Sequence, residues 1–323
     1  MAEKITSIER AAAILDQAAE GSAVERAARL LAGTRQDVVP DMAPPDHAAS
    51  IPASAPRPFR DESRPAPGIA KQTVSRSVTI DFDALSKRGL LSPLGEKTRI
   101  AEEYRLIKRF VLAKAFGRAG GQRQRDNLVM VTSSKPREGK TFTAVNLAIS
   151  IALERDVHVL LVDADLVRPS ILKVLGLQAE RGLIELLEDP GLDVSNVMLR
   201  TNVEKLSLVP AGTFHHMSPE LITSERMAAL ANDLATRYPD RVIIFDSPPL
   251  LATSEPTMLA RLVGQIVFVV EAERTSEVAV RAALELIADC PDVMMILNKA
   301  RSGLGTQHFG SYYSYYGRRK RRR

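Results

Sequence analysis

The chain has 323 residues, of which 45% are hydrophobic, and carries a net charge of +5 at pH 7; this is long enough for more than one average domain and apolar enough for a sizeable core. The single cysteine, Cys290, excludes a disulfide within the chain and is typical of a reducing, cytosolic compartment. The run Arg318–Arg323 accounts for more than the whole net charge, which argues against a broad nucleic-acid-binding face. No run approaches the roughly 20 apolar residues of a membrane-spanning helix.

Residues 1–77 are expected to form an amphipathic helix followed by a largely disordered linker. Apolar residues recur at helical spacing across residues 5–32, as in a short amphipathic helix or pair of helices. Eight of the 28 residues from Pro40 to Pro67 are proline, mixed with Ala, Ser and Arg, a composition that favours disorder.

Residues 78–310 are predicted to be the folded domain. After a short extended segment at Val78–Phe82, Asp83 is expected to cap a small helix that ends near Lys87. A long helix is predicted from about Glu96 to Phe116, because this stretch contains no internal Gly or Pro.

From Asn127 onward, short apolar runs alternate with stretches long enough for crossover helices. This alternation predicts an α/β fold with a parallel, doubly wound sheet of the P-loop NTPase type. The predicted strands are Leu128–Thr132, Val157–Val162, Leu206–Val209, Val242–Phe245, Ile266–Val270 and Val293–Leu297.

The first of these strands leads into a phosphate-binding loop, Ser134–Thr141, and then into a helix predicted over Phe142–Glu154. Gly139 lets the backbone approach the phosphates, Lys140 should reach the β- and γ-phosphates, and the Thr141 hydroxyl should ligate Mg²⁺. Ser134 departs from the general pattern, which has glycine there. The residues expected to contact the nucleotide are Ser134, Lys135, Pro136, Arg137, Glu138, Gly139, Lys140, Thr141, Phe142 and Asn298.

Three aspartates follow the ends of two predicted strands. Asp163 and Asp165 come directly after one, and Asp246, within Asp-Ser-Pro-Pro, follows another. Carboxylates at the carboxyl edge of a parallel sheet, beside a phosphate loop, can address one Mg²⁺–phosphate cluster, and one of them can accept the proton of an incoming hydroxyl. Asn298 after the last strand either contacts the purine or is a turn asparagine. His215 and His216 are interpreted as ordinary loop residues.

Four of the six tyrosines lie together near the C-terminus, at Tyr312, Tyr313, Tyr315 and Tyr316. A nucleotide-binding core followed by such a segment suggests that the core phosphorylates its own tail. The basic run within the tail, residues 311–323, either binds anionic lipid headgroups or keeps the tail soluble.

Over about residues 78–317 these motifs together resemble the bacterial tyrosine kinases, the autokinases of capsule and exopolysaccharide export that share an ancestor with the ParA and MinD ATPases. The segment Ile100–Arg109 is most similar to the exosortase-associated type. The resemblance implies ATP and Mg²⁺ as cofactors and a cytoplasmic enzyme held at the inner membrane by a transmembrane chain-length-determinant protein. It assigns catalysis to Lys140, Asp163, Asp165 and Asp246, metal binding to Thr141, Asp163 and Asp246, and ring assembly to Glu102, Arg105 and Lys108.

The sequence departs from the family pattern at two further positions, and two functions other than kinase activity remain open. Lys108 stands where the family's assembly motif has arginine, and Val167 stands where the family often has arginine. Lys135 occupies the position from which a lysine of ParA and MinD ATPases crosses to a partner's nucleotide. An ATP-switched dimer that positions a partner is therefore an alternative function, although the preferred interpretation of Lys135 is a solvated loop lysine. The second alternative function is a scaffold protein that has lost catalysis.

Overall fold

The computed structural model describes residues 76–94, 98–117, 125–290 and 292–300. The amphipathic helix and linker predicted before residue 76, and the tyrosine cluster and basic tail predicted after residue 310, lie outside these ranges. The domain boundaries at residues 78 and 310 therefore stay predictions. Within the described ranges, no helix is both long and apolar enough to span a membrane.

One sheet of eight strands runs through the described residues, and all six predicted apolar runs are among its strands. The two strands that were not predicted, β1 and β4, have three residues each and no continuous apolar run. The strands are β1 (Arg76–Val78), β2 (Leu128–Ser133), β3 (His158–Asp163), β4 (Leu199–Thr201), β5 (Leu206–Val209), β6 (Arg241–Asp246), β7 (Gln265–Glu271) and β8 (Val293–Asn298).

The strand order is β1-β4-β5-β3-β6-β2-β7-β8. Every neighbouring pair is parallel except β4 and β5, which are antiparallel. The predicted fold class, a parallel doubly wound sheet of the P-loop NTPase type, is confirmed. The order places β3, β6 and β2 side by side at the centre, so the loops that follow these three strands meet at one edge of the sheet.

Ten helices cover the two faces of the sheet in the part of the chain that the structure describes. They are α1 (Phe82–Lys87), α2 (Arg99–Phe116), α3 (Lys140–Ala152), α4 (Ile171–Leu175), α5 (Leu183–Glu188), α6 (Val194–Val197), α7 (Ser218–Ile222), α8 (Glu225–Arg237), α9 (Glu255–Ala260) and α10 (Glu277–Glu285).

Two predicted helix starts are wrong. The cap of α1 is Asp81, not Asp83, because the Asp81 carboxylate accepts the backbone N–H groups of Asp83 and Ala84. Helix α3 begins at Lys140, not Phe142, because Gly139 turns the chain directly from the loop into the helix. The long helix α2 begins at Arg99 and is capped by the Thr98 hydroxyl.

The core lies in two layers, one on each face of the sheet. Alternate residues of β2 belong to different layers: Leu128 and Met130 pack with helices α5–α10, whereas Val129 and Val131 pack with helices α1–α4. This is the alternation that a strand buried on both faces requires. The double coverage fixes the positions of β2, β3 and β6, and with them the residues at their carboxyl ends.

Candidate active site

The phosphate loop joins the end of β2 to the start of α3, as predicted. Gly139 caps α3 with a φ of 104°, a conformation that side chains rarely allow, and Lys140 is the first residue of the helix. A Cβ atom at Gly139 would lie 2.0 Å from Nδ2 of Asn298. Glycine is therefore favoured at position 139 for two reasons: its positive φ, and the close approach of the Asn298 side chain at the end of β8.

Contacts from the segment after β7 and from the end of β8 fix the shape of this loop. Glu138 is buried at 2% exposure, and its carboxylate accepts the N–H of Lys135 (2.7 Å) and the hydroxyl of Thr275. The amide nitrogen of Asn298 donates to the Glu138 carbonyl (2.8 Å), and Nζ of Lys299 donates to the Arg137 carbonyl (2.7 Å). The loop is preorganised by residues far away in sequence, which reduces the ordering cost of binding a phosphate.

Asp163 and Asp246 end β3 and β6 and are directly paired in the register of these strands. Each is 1% exposed. Burial raises the pKa of Asp163 to about 7, although its Oδ2 accepts the N–H groups of Ser170 and Ile171 at 3.0 Å each. Burial, followed by repulsion from Asp163, raises the pKa of Asp246 to about 8. The site is thus poor in compensating positive charge, even with Lys140 nearby.

These carboxylates fit a hard divalent cation. Among the described residues, Oδ1 of Asp163 and both carboxylate oxygens of Asp246 have no hydrogen-bond partner, although all three atoms are buried. Such groups are costly unless a ligand or ion completes them. The Thr141 hydroxyl lies 2.7 Å from the Ser170 hydroxyl, at the segment that binds Asp163. One or two carboxylates with a hydroxyl and substrate phosphates are a usual Mg²⁺ ligand set.

Asp165 differs from the two buried aspartates in its access to solvent. It lies beyond the end of β3, is half-buried, and accepts the N–H of Arg168 at 3.0 Å. Burial raises its pKa above the ordinary value, with a further contribution from the Glu255 carboxylate, while the Arg168 amide and Lys140 act in the opposite direction. Asp165 is therefore the aspartate of this group that an incoming group can reach.

Sequence reasoning missed Glu255 and Thr275. Glu255 lies in the first turn of α9, and its Oε2 is buried without a partner among the described residues. Its position nine residues after Asp246, beyond two prolines, gives no spacing signal. Thr275 was missed because its partner Glu138 is 137 residues away, and nothing in the sequence indicates that contact.

Asn298 forms hydrogen bonds within the protein, whereas Lys135 is exposed to solvent. The amide nitrogen of Asn298 donates to Glu138, and its Oδ1 accepts the N–H of Lys299, so the contacts favour the turn asparagine over the purine contact, which stays a prediction. Lys135 is exposed at the tip of the loop. A cavity of about 460 Å³, lined by Glu271, Ala272, Glu273, Arg274 and Lys299, adjoins the loop through Lys299.

The three residues predicted to mediate ring assembly differ in their exposure to solvent. Lys108 is buried at 7% exposure; it donates to the Ser150 carbonyl (2.9 Å) and pairs with Glu154 (2.7 Å), thereby joining α2 to the end of α3. Its assignment to ring assembly stays a prediction, beside this contact within the protomer. Glu102 and Arg105 are more accessible, and Arg105 donates to Glu102 Oε2 at 2.6 Å.

The interpretation of His215 as an ordinary loop residue agrees with its surroundings. Its Nε2 lies 2.7 Å from Oε1 of Glu188. In the described ranges no group of three or more His, Cys, Asp or Glu side chains is arranged to hold a metal by itself. Any metal at Asp163 and Asp246 therefore needs ligands from a bound nucleotide or from water.

A family model described as "ParA: NUBPL iron-transfer P-loop NTPase" matches residues 124–298, which include the loop and all three aspartates. The chain belongs to the ParA family of P-loop NTPases. Its membership explains the parallel sheet with the phosphate loop after β2. The model covers the nucleotide-binding part and leaves out helix α2.

Several relatives match more of this ParA-family chain than the family model does, and these relatives are kinases. It is 29% identical over 233 residues to the tyrosine-protein kinase YwqD of Bacillus subtilis strain 168, covering 72% of this chain and 92% of YwqD. The solved VpsO kinase domain is 30% identical, with 63% and 100% coverage and a TM-score of 0.50. The BceF tyrosine kinase domain is 26% identical, with 69% and 91% coverage and a TM-score of 0.55. The resemblance to bacterial tyrosine kinases is confirmed.

Proposed function

We propose that this chain is an ATP- and Mg²⁺-dependent protein-tyrosine autokinase that phosphorylates the tyrosine cluster of its own tail and thereby regulates exopolysaccharide production. The observation that carries the proposal is the pair of buried carboxylates, Asp163 and Asp246, which lie without full hydrogen bonding beside the phosphate-loop residue Lys140. Similarity to tyrosine kinases over most of the described domain supports the choice of phosphate acceptor.

The chain's own residues would act mainly by positioning and charge stabilisation. Lys140 and the loop amides bind the β- and γ-phosphates, and Thr141, Asp163 and Asp246 would hold Mg²⁺, which supplies further positive charge to the phosphates. Asp165, the accessible aspartate, orients the phenol. As the phenol oxygen bonds to the γ-phosphorus, the bond from that phosphorus to ADP breaks and the phenolic proton passes to Asp165 or to water.

The two tyrosines in the described residues are poor acceptors. Tyr104 is 5% exposed, and burial raises its pKa to about 12. Tyr238 packs its ring against the guanidinium of Arg241, whose Cζ lies 4.2 Å from the ring centroid. These contacts direct the proposal to the remaining four tyrosines, Tyr312, Tyr313, Tyr315 and Tyr316.

Transfer between chains is tested by mixing two inactive variants. A Lys140→Met protein with an intact tail lacks its phosphate contact, and a protein with the four tail tyrosines changed to Phe lacks acceptors. Neither should become labelled from radioactive ATP by itself, whereas the mixture should label the Lys140→Met chain. Phosphotyrosine in that chain is detected after separating the two proteins by a size tag.

No labelling in the mixture, or labelling confined to Tyr104 or Tyr238, would contradict the proposal. The exposed Lys135 favours the second candidate function, an ATP-switched dimer that positions a partner. That function predicts ATP-dependent association with no phosphate transfer to protein, so the same radiolabel experiment separates the two.

Assembly, location and partner form the finer part of the proposal. We expect a ring-like homo-oligomer held at the inner face of the membrane by a transmembrane chain-length-determinant protein, with no nucleic acid involved. Glu102 and Arg105 lie on the accessible side of α2 and are the residues we assign to the contact between copies.

Changing Glu102 and Arg105 together to Ala should give a smaller particle and slower autophosphorylation. The fold should persist, because this ion pair is partly exposed, with 43% of the Arg105 side chain and 26% of the Glu102 side chain accessible, and such pairs near the surface contribute about 0–1 kcal/mol to stability. Arg99 and Glu103 provide the matched control, since they form another exposed ion pair on the same helix. Light scattering measures the particle mass. If the Glu102/Arg105 variant has the same particle mass and autophosphorylation rate as the Arg99/Glu103 control, then α2 does not belong to the assembly surface.

A further inference from the structure

Large apolar side chains are exposed on three neighbouring loops at the carboxyl edge of the sheet. β5, β3 and β6 are adjacent in the strand order. The loop after β5 exposes Phe214 (53%) and Met217 (49%), the loop after β3 exposes Val167 (43%), and the loop after β6 exposes Leu251 (42%). Single exposed apolar residues are common, but several on adjacent loops at one edge of the sheet indicate a binding surface.

The loop after β5 holds its apolar residues in fixed positions. The N–H of Thr213 donates to Glu185 Oε1 at 2.9 Å, and Nε2 of His215 lies 2.7 Å from Glu188 Oε1. Phe214 lies between these two anchored residues. Its side chain is therefore presented to solvent by a braced loop, which lowers the ordering cost when a partner covers it.

This surface borders the site of phosphate transfer. The N–H of Leu251 donates to the carbonyl of Ser134, the first residue of the phosphate loop, at 3.2 Å. Val167 follows Asp165, the accessible aspartate, by two residues. A peptide lying across these residues would bring its neighbouring side chains to the phosphates.

We propose that Val167, Phe214, Met217 and Leu251 form a docking surface, here called the apolar rim, for the segment Phe309–Tyr316 of a second copy of this chain. The assignment rests on the proposed kinase function for the reaction that follows docking. It extends that function by naming the residues that select the acceptor segment, none of which belongs to the nucleotide site.

The chemistry of the segment matches the rim. Five of its eight residues are aromatic, in a chain whose aromatic content is 5%. Aromatic side chains supply large apolar area with few rotatable bonds, and a thioether such as Met217 makes favourable contacts with aromatic rings. The basic run 318–323 follows this segment. Two exposed carboxylates lie near the rim: Glu188 contacts His215, and Glu220 follows Met217 by three residues. Arg168, directly after Val167, and Arg181 are exposed opposing charges.

The test measures binding and transfer separately. The protein used is the full chain with its four tail tyrosines changed to Ser, so that its own tail does not compete. The probe is a fluorescein-labelled peptide of residues 305–317, titrated in the presence of a non-hydrolysable ATP analogue and Mg²⁺. Phe214→Ser combined with Met217→Ser should weaken peptide binding about tenfold or more, with nucleotide affinity unchanged.

Two controls make the result specific to the rim. Val278→Ser removes a side chain that is 77% exposed on α10, away from these loops, and should leave peptide affinity unchanged. A peptide carrying Phe309→Ser should bind more weakly than the unmodified peptide to the protein with an intact rim. If Phe309 of the peptide contacts Phe214 or Met217, the Phe309→Ser peptide and the unmodified peptide should bind the Phe214→Ser/Met217→Ser protein with equal affinity.

Equal peptide affinity with and without the rim side chains would overturn the docking surface, whatever the catalytic result. Failure of the proposed function gives a different outcome. In that case the peptide binds in a rim-dependent way but gains no phosphate from radioactive ATP. If the kinase proposal is right, the rim variant should raise the KM for the peptide in proportion to the lost affinity and leave kcat unchanged.

Discussion

Asp246→Asn is expected to abolish phosphate transfer and at the same time to raise the melting temperature of the nucleotide-free protein. Asp246 and Asp163 are paired across β6 and β3, and both are almost fully buried. The variant removes one of two repelling carboxylates and offers the other a donor. The gain should amount to several degrees, since about 1 kcal/mol shifts the melting temperature of a domain of this size by about 2–4 °C. Transfer should fall to background, because the variant removes a carboxylate that we propose as a Mg²⁺ ligand.

The pH dependence of this gain has a definite sign. The folded-state pKa of Asp246 is raised from 3.8 to about 8, so the folded protein holds this proton more tightly than the unfolded chain. The associated stability is full below about pH 4 and is lost as pH rises towards 8. The advantage of the Asn variant should therefore grow between pH 4 and pH 8 and level off above.

Calorimetry across this pH range, together with radiolabel transfer at pH 7.5, measures both effects. Asp240→Asn is the control, because Asp240 lies just before β6 and is exposed, with 57% of its side chain accessible. It should change neither quantity much. A lower melting temperature for Asp246→Asn would show that Asp246 contributes to folding in a way that its contacts do not explain.

Gly139→Ala should weaken nucleotide binding by about tenfold to a hundredfold. An L-residue held at a φ of 104° is strained by about 1–3 kcal/mol, and the added Cβ would overlap Nδ2 of Asn298 at 2.0 Å. The loop or the end of β8 must move in response, and either movement disturbs the amides that bind phosphate. Titration with a fluorescent ATP analogue gives the affinity.

Gly176→Ala is a control that introduces backbone strain without a steric overlap of the added Cβ atom. Gly176 also has a positive φ, 71°, but a Cβ there would meet nothing within 4 Å. It should lower stability without affecting nucleotide affinity. Adding Asn298→Ala to Gly139→Ala should recover part of the lost affinity, because it removes the overlapping atoms but leaves the strain. No recovery would mean that backbone strain alone accounts for the loss.

Sequence patterns predicted most of the sheet well, because its strands are continuous apolar runs, buried on both faces in β2 to β7 except for β4 and only partly buried in the edge strand β8. β2, β3, β5, β6, β7 and β8 all agree with their predicted runs to within a residue or two. β1 and β4 were missed because strands of three residues, partly exposed at one edge, have no apolar pattern to detect. β4 also pairs antiparallel with β5, an exception to the parallel alternation.

At the candidate site, the sequence predicted residues that follow a strand or belong to a spaced motif. Lys140, Asp163 and Asp246 meet at one sheet edge because each follows a central strand. The contacts that shape the loop could not be predicted, because Thr275 and Asn298 act from distant segments. The contacts of Lys108 with Ser150 and Glu154 could not be predicted either, because the spacing of a helical motif does not show which side of the helix faces the core.

The bond from Asn298 to Glu138 spans 160 residues of sequence. During synthesis the segment from β2 to β7 leaves the ribosome first, and the Asn298 side chain becomes available only when β8 emerges. Contacts of such long separation form late, because the intervening chain must first be ordered. The phosphate loop thus reaches its final shape only after β8 has been synthesised. A polypeptide lacking β8 would therefore be expected to bind nucleotide weakly, because its phosphate loop lacks this contact.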